Sequence, residues 1–178
     1  ASPADTSDRL YCTSARIVSE MAPEFTAWLD RVNGYVGAKN FPVHVEVRVQ
    51  GGVIRPIEFN PLRFAGLGGT DISWYAYGFR TYEYYLEDRA PDWDALAEGA
   101  AGKLYVMSML NGCPSDLTGD ETFDYDAFCA KFSHVLALRK MDYRATASFG
   151  FLFFETDEDD PSERAFLVNT DFKEFLTS

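Results

Sequence analysis

Histidine, cysteine and lysine are scarce in this chain of 178 residues, which has two histidines, three cysteines and five lysines. An odd number of cysteines without a CxxC pair is a poor disulfide framework and favours a reducing compartment. Two histidines argue against a zinc site built from histidine and cysteine. No G-x-S-x-G sequence is present, which argues against a Ser-His-Asp hydrolase.

Long apolar runs are also lacking, and the charge is strongly of one sign. No segment reaches the roughly 18 apolar residues of a membrane span, and the N-terminal segment has no signal pattern. The net charge of −12 repels phosphate backbones and anionic lipid surfaces. We therefore expect a cytoplasmic protein that binds neither nucleic acid nor a membrane. One exception remains, because a divalent metal can bridge carboxylates and the phosphates of a nucleotide.

Hydrophobic spacing divides the chain into helices and strands. Apolar residues recur every three or four positions over residues 14–36, but Pro23 predicts a break or a kink, with the main helix starting there. Thr70 is predicted to cap an aromatic-rich helix over residues 71–86. The remaining segments are strands over residues 43–49, 53–60, 103–111 and 149–155, short helices within residues 88–102 and 125–132, and a helix over residues 161–176 that is interrupted near Asn169.

This order of elements predicts an α+β fold with a mainly antiparallel sheet and flanking helices. Apolar residues make up 47% of the chain and aromatic residues 16%, which is enough for the core of one domain or of two small lobes. Charge, Pro91 and small residues cluster over residues 88–102 and indicate a boundary. We expect a lobe over residues 1–88 that carries the strand pair, and a C-terminal α+β extension over residues 89–178 packed on it.

The strand pair within residues 43–60 has two possible registers. A two-residue turn at Gly51-Gly52 mixes polar and apolar side chains on both faces, whereas a three-residue loop over residues 51–53 separates them. We predict the second register. It pairs Val45 with Phe59, Val47 with Ile57 and Val49 with Arg55 on the apolar, buried face, and His44 with Asn60, Glu46 with Glu58 and Arg48 with Pro56 on the polar face.

This register places the carboxylates of Glu46 and Glu58 opposite each other, where like charges destabilise a hairpin. Magnesium would offset the repulsion, because it is a hard cation that takes carboxylate oxygens and completes its octahedron with phosphate oxygens and water. The alternative is that both glutamates are solvated surface residues neutralised by Arg48, Arg55 and Arg63.

The sequence over residues 41–69, FPVHVEVRVQGGVIRPIEFNPLRFAGLGG, resembles the metal-binding hairpin of the ATP-grasp enzymes. In that family an acidic or amide residue on one strand precedes a Glu-x-Asn-Pro motif on the next. Here Glu46 precedes Glu58 by 12 positions, and Glu58 begins the motif that Asn60 and Pro61 complete. The sequence IEFNPLRFAG is typical of one subgroup, and three later stretches are similar to the tail of that subgroup, namely LRKMDY at residues 138–143, SFGFLFFET at residues 148–156 and DFKEFL at residues 171–176.

The resemblance implies roles for four residues. Glu46, Glu58 and Asn60 would hold two magnesium ions that bridge the phosphates of ATP. Many members have Arg directly after the Pro of the motif, whereas this chain has Leu62 there, so that Arg63 is carried over as the catalytic cation that contacts phosphate. The implied activity is that of a ligase, in which Mg-ATP activates a small carboxylate as an acyl phosphate, and an amine or another nucleophile then attacks it.

The resemblance covers only the C-terminal part of an ATP-grasp protein. The earlier lobe of these enzymes brings lysines and a glycine-rich flap, and this sequence has no counterpart of them before the hairpin. We therefore expect the chain to be inactive without the missing N-terminal lobe. The alternative is a non-catalytic binding or dimerisation module, with the aromatic-rich helix as the interface of a homodimer.

Overall fold

The computed structural model describes residues 10–66, 68–117 and 119–177. These residues divide into two compact units, one within Ala15–Ala101 and the other formed by residues 10–14 together with the described residues from Gly102 onward. The predicted α+β fold with antiparallel sheets and flanking helices is confirmed.

The described residues form the following elements in chain order. The strands are β1 (Leu10–Thr13), β2 (Val43–Gln50), β3 (Val53–Pro61), β4 (Lys103–Asn111), β5 (Thr122–Phe123), β6 (His134–Lys140), β7 (Ser148–Asp157) and β8 (Leu176–Thr177). The helices are α1 (Ala15–Val36), α2 (Ile72–Tyr77), α3 (Thr81–Leu86), α4 (Trp93–Gly99), α5 (Tyr125–Cys129), α6 (Tyr143–Thr146) and α7 (Ser162–Asn169), with two short 3-10 turns at Gly69–Asp71 and Phe172–Phe175.

The boundary between the two units lies after Ala101, beyond the one predicted between residues 88 and 89. Helix α4 belongs with the first unit because the ring of Trp93 packs edge-on against the rings of Tyr77 and Phe79, at centroid distances of 5.9 and 5.6 Å. Strand β1 joins the other unit because it pairs antiparallel with β4.

Helix α1 runs through Pro23, so the predicted start of the main helix at that residue is wrong. Proline removes one backbone hydrogen bond, here the bond to the carbonyl of Ser19, four residues earlier. Both residues are exposed. Water can therefore satisfy the freed carbonyl, and the helix continues.

The predicted helix over residues 71–86 is instead two short helices, α2 and α3. The break falls at Gly78, which has a left-handed backbone with φ of 74° and donates its N–H to the carbonyl of Trp74 at 2.9 Å. This geometry ends a helix and suits glycine. Thr70 is not the cap, because α2 begins at Ile72 with Asp71 at the N-cap position, and the Thr70 hydroxyl donates to the carbonyl of Ala65 instead.

The second unit is built on a four-stranded antiparallel sheet in the order β1-β4-β7-β6. Strands β4 and β7 lie at its centre and are buried along most of their length, as their predicted apolar runs require. The core beside them is dominated by aromatic rings, with Phe128, Phe149 and Phe154 fully buried.

The sequence patterns missed both edge strands of this sheet. Strand β6 is only partly buried and ends in Arg139 and Lys140, so its apolar residues did not form a clear period. Strand β1 has four residues, which is too short for a period to show.

Two further expectations concern the location of the protein. None of the helices that the structure describes combines the length and the hydrophobicity needed to span a bilayer. Cys12, Cys113 and Cys129 are free thiols. The reducing compartment stays a prediction.

Gly150 allows β6 and β7 to approach closely, and its replacement by alanine is expected to destabilise the protein. Its φ is 146°, and a Cβ there would overlap the backbone carbonyl of Arg139. We expect Gly150→Ala to lower the free energy of unfolding by about 2–4 kcal/mol in urea titrations. The control is Gly34→Ala in α1, where a Cβ meets open space, and where a gain of about 0.5–1 kcal/mol is expected. Wild-type stability of Gly150→Ala would contradict the packing described.

Glu155 on β7 makes the stability of the second unit depend on pH. Burial raises the pKa of its carboxyl, but hydrogen bonds from Lys103 and His134 outweigh burial, and the net pKa is lowered. The Lys103 Nζ lies 2.9 Å from the carboxylate and the His134 Nδ1 lies 3.4 Å from it. The ionised form therefore stabilises the fold above the ordinary glutamate pKa of about 4.3, and this contribution is lost as the pH falls through the lowered pKa.

We expect Glu155→Gln to melt at a lower temperature than the wild type at neutral pH, and the difference to shrink as the pH is lowered to about 3. Thermal unfolding monitored by circular dichroism over this range measures it. Glu98→Gln, at an exposed glutamate of α4, is the control. A difference that stays constant over the whole range would show that the ionised carboxylate contributes nothing.

Candidate functional site

Strands β2 and β3 pair antiparallel, and the half of this hairpin farther from its turn has the predicted register. Val43 pairs with Pro61, His44 with Asn60, Val45 with Phe59 and Glu46 with Glu58. The prediction that the two glutamates face each other is therefore confirmed.

The half nearer the turn has the other register. The pairing shifts between Glu46 and Val47, so that Val47 faces Pro56 and Ile57 is an extra residue in β3. Such a bulge places two residues of one strand opposite one residue of its partner. The predicted pairs of Val47 with Ile57, Val49 with Arg55 and Arg48 with Pro56 are wrong for this reason.

The turn itself explains why the bulge is needed. Gly51 and Gly52 have φ of 58° and 74°, and Gln50 pairs with Val53. Two successive residues with positive φ form the two-residue turn that matches the twist of a hairpin. The predicted three-residue loop is therefore wrong, and one inserted residue reconciles this turn with the register at the glutamates.

The apolar side of the hairpin is not buried, contrary to the expectation that burial fixes its register. Phe59 is 44% exposed and the bulge residue Ile57 is 62% exposed. Phe59, Val43 and Pro56 line a cavity of about 570 Å³ together with residues of α1. The glycine turn and the bulge, rather than a packed face, fix the position of the glutamates.

The nearest cationic side chains lie beyond hydrogen-bonding distance of the two facing carboxylates. The Oε1 of Glu46 lies 3.8 Å from the Nε2 of His44, and the Oε1 of Glu58 lies 3.9 Å from the Nη2 of Arg63. These distances exceed those of hydrogen bonds. Both glutamates are about half exposed, and neither carboxylate makes a hydrogen bond within the described residues. Their oxygens are therefore available to a cation.

Asn60 and His44 add polar atoms that lack a partner. The Nδ2 of Asn60 and the Nδ1 of His44 are both buried, and neither makes a hydrogen bond in the part of the chain that the structure describes. A buried polar atom without a partner is costly, and one in a native structure calls for an explanation such as a bound ligand. An Asn amide can offer its oxygen to a metal and its NH₂ group to a phosphate oxygen.

The donor set fits magnesium, although it is incomplete. Within residues 10–66, 68–117 and 119–177, no group of three or more His, Cys, Asp or Glu side chains is arranged to hold a metal ion. The hairpin offers two carboxylates and one amide, all of them oxygen donors. Magnesium takes few protein ligands and completes its octahedron with water and phosphate oxygens.

Leu62 turns the backbone after the motif and thereby positions Arg63. Its φ is 62°, and its side chain is 75% exposed. A bulky residue in the left-handed region is an outlier, and such outliers cluster at functional sites. The guanidinium of Arg63 passes 3.6 Å from the place that a Cβ on Gly66 would occupy, which is an ordinary van der Waals distance. The sequence gives no signal for this backbone conformation.

Comparisons with known proteins address the predicted resemblance. Residues 1–71 match the ATP-grasp domain model, and they include Glu46, Glu58, Asn60 and Arg63. Comparison with curated proteins gives no significant match.

Two solved structures share the fold. One is phosphoribosylglycinamide synthetase from Anaerococcus prevotii, with a TM-score of 0.60 and 10% identity over 95% of this chain and 44% of that chain. The other is L-amino acid ligase from Bacillus licheniformis, with a TM-score of 0.60 and 16% identity over 99% of this chain and 47% of that chain. At these identities the likeness establishes the fold alone.

The family model over residues 1–71 confirms the resemblance to the ATP-grasp domain, and the two solved structures confirm the fold. The chain spans less than half of the length of each of the two solved structures.

We expect Leu62→Gly to raise the free energy of unfolding by about 0.5–1 kcal/mol. It relieves a left-handed backbone that costs an ordinary residue about 1–2 kcal/mol, and it loses part of this gain to the freedom of glycine in the unfolded chain. Leu62→Val should lower the stability, because β-branched residues tolerate this region least. Urea titrations measure both variants. Leu86→Gly, at the exposed last residue of α3, is the control and should cost up to about 1 kcal/mol. If Leu62→Gly lowered the free energy of unfolding as much as Leu86→Gly does, the backbone at Leu62 would not be strained.

Proposed function

We propose that the chain is the C-terminal portion of an ATP-grasp ligase. Such an enzyme uses Mg-ATP to activate a carboxylate as an acyl phosphate, which an amine or another nucleophile then attacks. The observation that carries the proposal is the pair Glu46 and Glu58, whose carboxylates face each other without hydrogen bonds. This pair lies within the residues that match the ATP-grasp domain.

In this proposal Glu46, Glu58 and Asn60 hold two magnesium ions. The ions supply positive charge that offsets both the repulsion of the carboxylates and the charge of the ATP triphosphate. This explains how a chain with a net charge of −12 can bind an anion. The unpartnered Nδ2 of Asn60 supports the assignment, because an amide at this place has donor capacity left for a phosphate oxygen.

Arg63 is proposed as the catalytic cation that stabilises the transferring phosphoryl group. Its guanidinium lies 3.9 Å from Glu58, which is close enough to be oriented by the carboxylate and too far for a tight pair. A cation held in this way stabilises negative charge on the phosphoryl oxygens without prior rearrangement.

The proposal requires a second lobe. The chain spans less than half of the two solved structures that share its fold. Lys39 alone among its lysines precedes β2 in the sequence. We therefore propose that ATP and a small carboxylate bind between this hairpin and a preceding N-terminal lobe in a cytoplasmic enzyme, and that the chain alone is inactive.

Glu58→Gln tests the metal assignment, because it keeps the size of the side chain and removes the charge. In protein that includes the preceding lobe, we expect the variant to weaken Mg-ATP binding at least tenfold, about 1.4 kcal/mol, in isothermal titration calorimetry. Its melting temperature without metal should not fall, since the substitution removes a repulsion. The matched control is Glu98→Gln, in which Mg-ATP affinity should stay unchanged.

Unchanged Mg-ATP affinity in Glu58→Gln would contradict the metal assignment. If neither the wild type nor Glu58→Gln bound nucleotide, the result would favour a non-catalytic binding or dimerisation module. The exposed side chains of Trp74, Leu86 and Trp93, on α2 to α4, are the observation that favours this second candidate.

A further inference from the structure

Strands β2 and β3 form a sheet of two strands, and no other strand of the described residues pairs with either of them. Each strand therefore has an outer edge with a row of unpaired backbone N–H and C=O groups. Such an edge can pair with a strand of another chain, unless its residues prevent the pairing. The two edges of this hairpin differ in that respect.

The outer edge of β3 is protected against pairing. Pro56 and Pro61 lie in this strand and have no N–H group to donate. The extra residue Ile57 forms a bulge between them, which bends the strand and interrupts the row of backbone groups. Prolines and bulges are common means of blocking an edge strand. We therefore expect β3 to stay unpaired on this side.

The outer edge of β2 has no such protection. The strand has eight residues, without a proline and without an inserted residue. Gln50 and Val53 flank the two-residue turn, where a backbone hydrogen bond normally closes the turn. Hydrogen-bonded and non-hydrogen-bonded pairs alternate along antiparallel strands. The backbone groups of Val45, Val47 and Val49 therefore point away from β3, toward the free edge.

The polar face of the hairpin carries two adjacent pairs of like charge. Glu46 faces Glu58, and Arg48 faces Arg55 in the half nearer the turn. Arg48 is exposed, and its side chain makes no ion pair or hydrogen bond within the described residues. Like charges on directly paired residues destabilise a hairpin. A strand that places a positive charge beside Glu46 and a negative charge beside Arg48 would offset both repulsions.

We propose that β2 pairs antiparallel with β2 of a second copy of this chain, about a two-fold axis at Val47. In this register Val47 faces its counterpart and Val45 faces Val49. Glu46 faces Arg48 of the second copy, and symmetry repeats this contact. A register centred on Glu46 or Arg48 places a like charge opposite itself. One centred on Val45 or Val49 pairs fewer residues of β2.

This pairing joins the two hairpins into one four-stranded sheet. Sheets of three or more strands are more stable than an isolated hairpin. A protected β3 strand lies at each outer edge, so assembly stops at the dimer. Arg48 of the second copy takes the place beside Glu46 that the proposed function gives to magnesium. The dimer is therefore a state of the metal-free protein, and the inference goes beyond the proposed function.

Sedimentation equilibrium of the chain in EDTA, without nucleotide, tests the inference. We expect a dimer of twice the 20.0 kDa of one chain that dissociates on dilution. Glu46→Arg and Arg48→Glu each place like charges opposite each other across the interface, and each should weaken dimerisation at least tenfold. An equimolar mixture of the two variants should dimerise again, because every arginine then faces a glutamate. Glu98→Arg and Arg31→Glu, at exposed residues elsewhere in the unit, are the controls and should dimerise like the wild type.

Three results would overturn the inference. The first is a wild-type chain that stays monomeric at submillimolar concentration. The second is a dimer that both Glu46→Arg and Arg48→Glu leave intact, since it would use another surface, such as α2 to α4. The third is a mixture of the two variants that stays monomeric although circular dichroism shows both to be folded. The proposed function can fail separately, because Mg-ATP binding is measured with metal and in protein that includes the preceding lobe.

Discussion

The repulsion between the carboxylates of Glu46 and Glu58 is the constraint on which the candidate site depends. Two like charges on directly paired residues destabilise a hairpin. No side chain of the described residues forms a hydrogen bond with either carboxylate, and Arg63 and His44 stay 3.9 and 3.8 Å away. The fold thus bears an unfavourable interaction that a bound cation would turn into a favourable one. The need to bind a cation would explain why the two glutamates face each other in a protein proposed to bind Mg-ATP.

Two local irregularities create this arrangement. The extra residue Ile57 restores the pairing of the glutamates, which the two-residue turn at Gly51 and Gly52 would otherwise shift. The left-handed Leu62 then redirects the chain, so that Arg63 approaches Glu58. Both the bulge and the left-handed residue cost stability and leave apolar side chains exposed. Sites that accept such costs are commonly functional ones.

The spacing of apolar residues and the positions of charged residues were enough to predict the α+β class, the central strands β4 and β7, and the facing glutamates. The bulge was missed because strand alternation assumes one register, whereas this hairpin combines two. The continuity of α1 through Pro23 depends on solvent at Ser19, and the edge strand β6 is too exposed for a clear period. The left-handed backbone of Leu62 depends on how the chain leaves β3, which no local sequence pattern encodes.

A double-mutant cycle shows whether Glu46 and Glu58 share a bound cation. In protein that includes the preceding lobe, Glu46→Gln, Glu58→Gln and the double variant are unfolded in urea with EDTA and again with saturating Mg-ATP. We expect an unfavourable coupling of about 0.2–1 kcal/mol between the two glutamates without metal, and a favourable coupling with metal. A coupling that is the same in both conditions would contradict it, because the two carboxylates would then not share a cation.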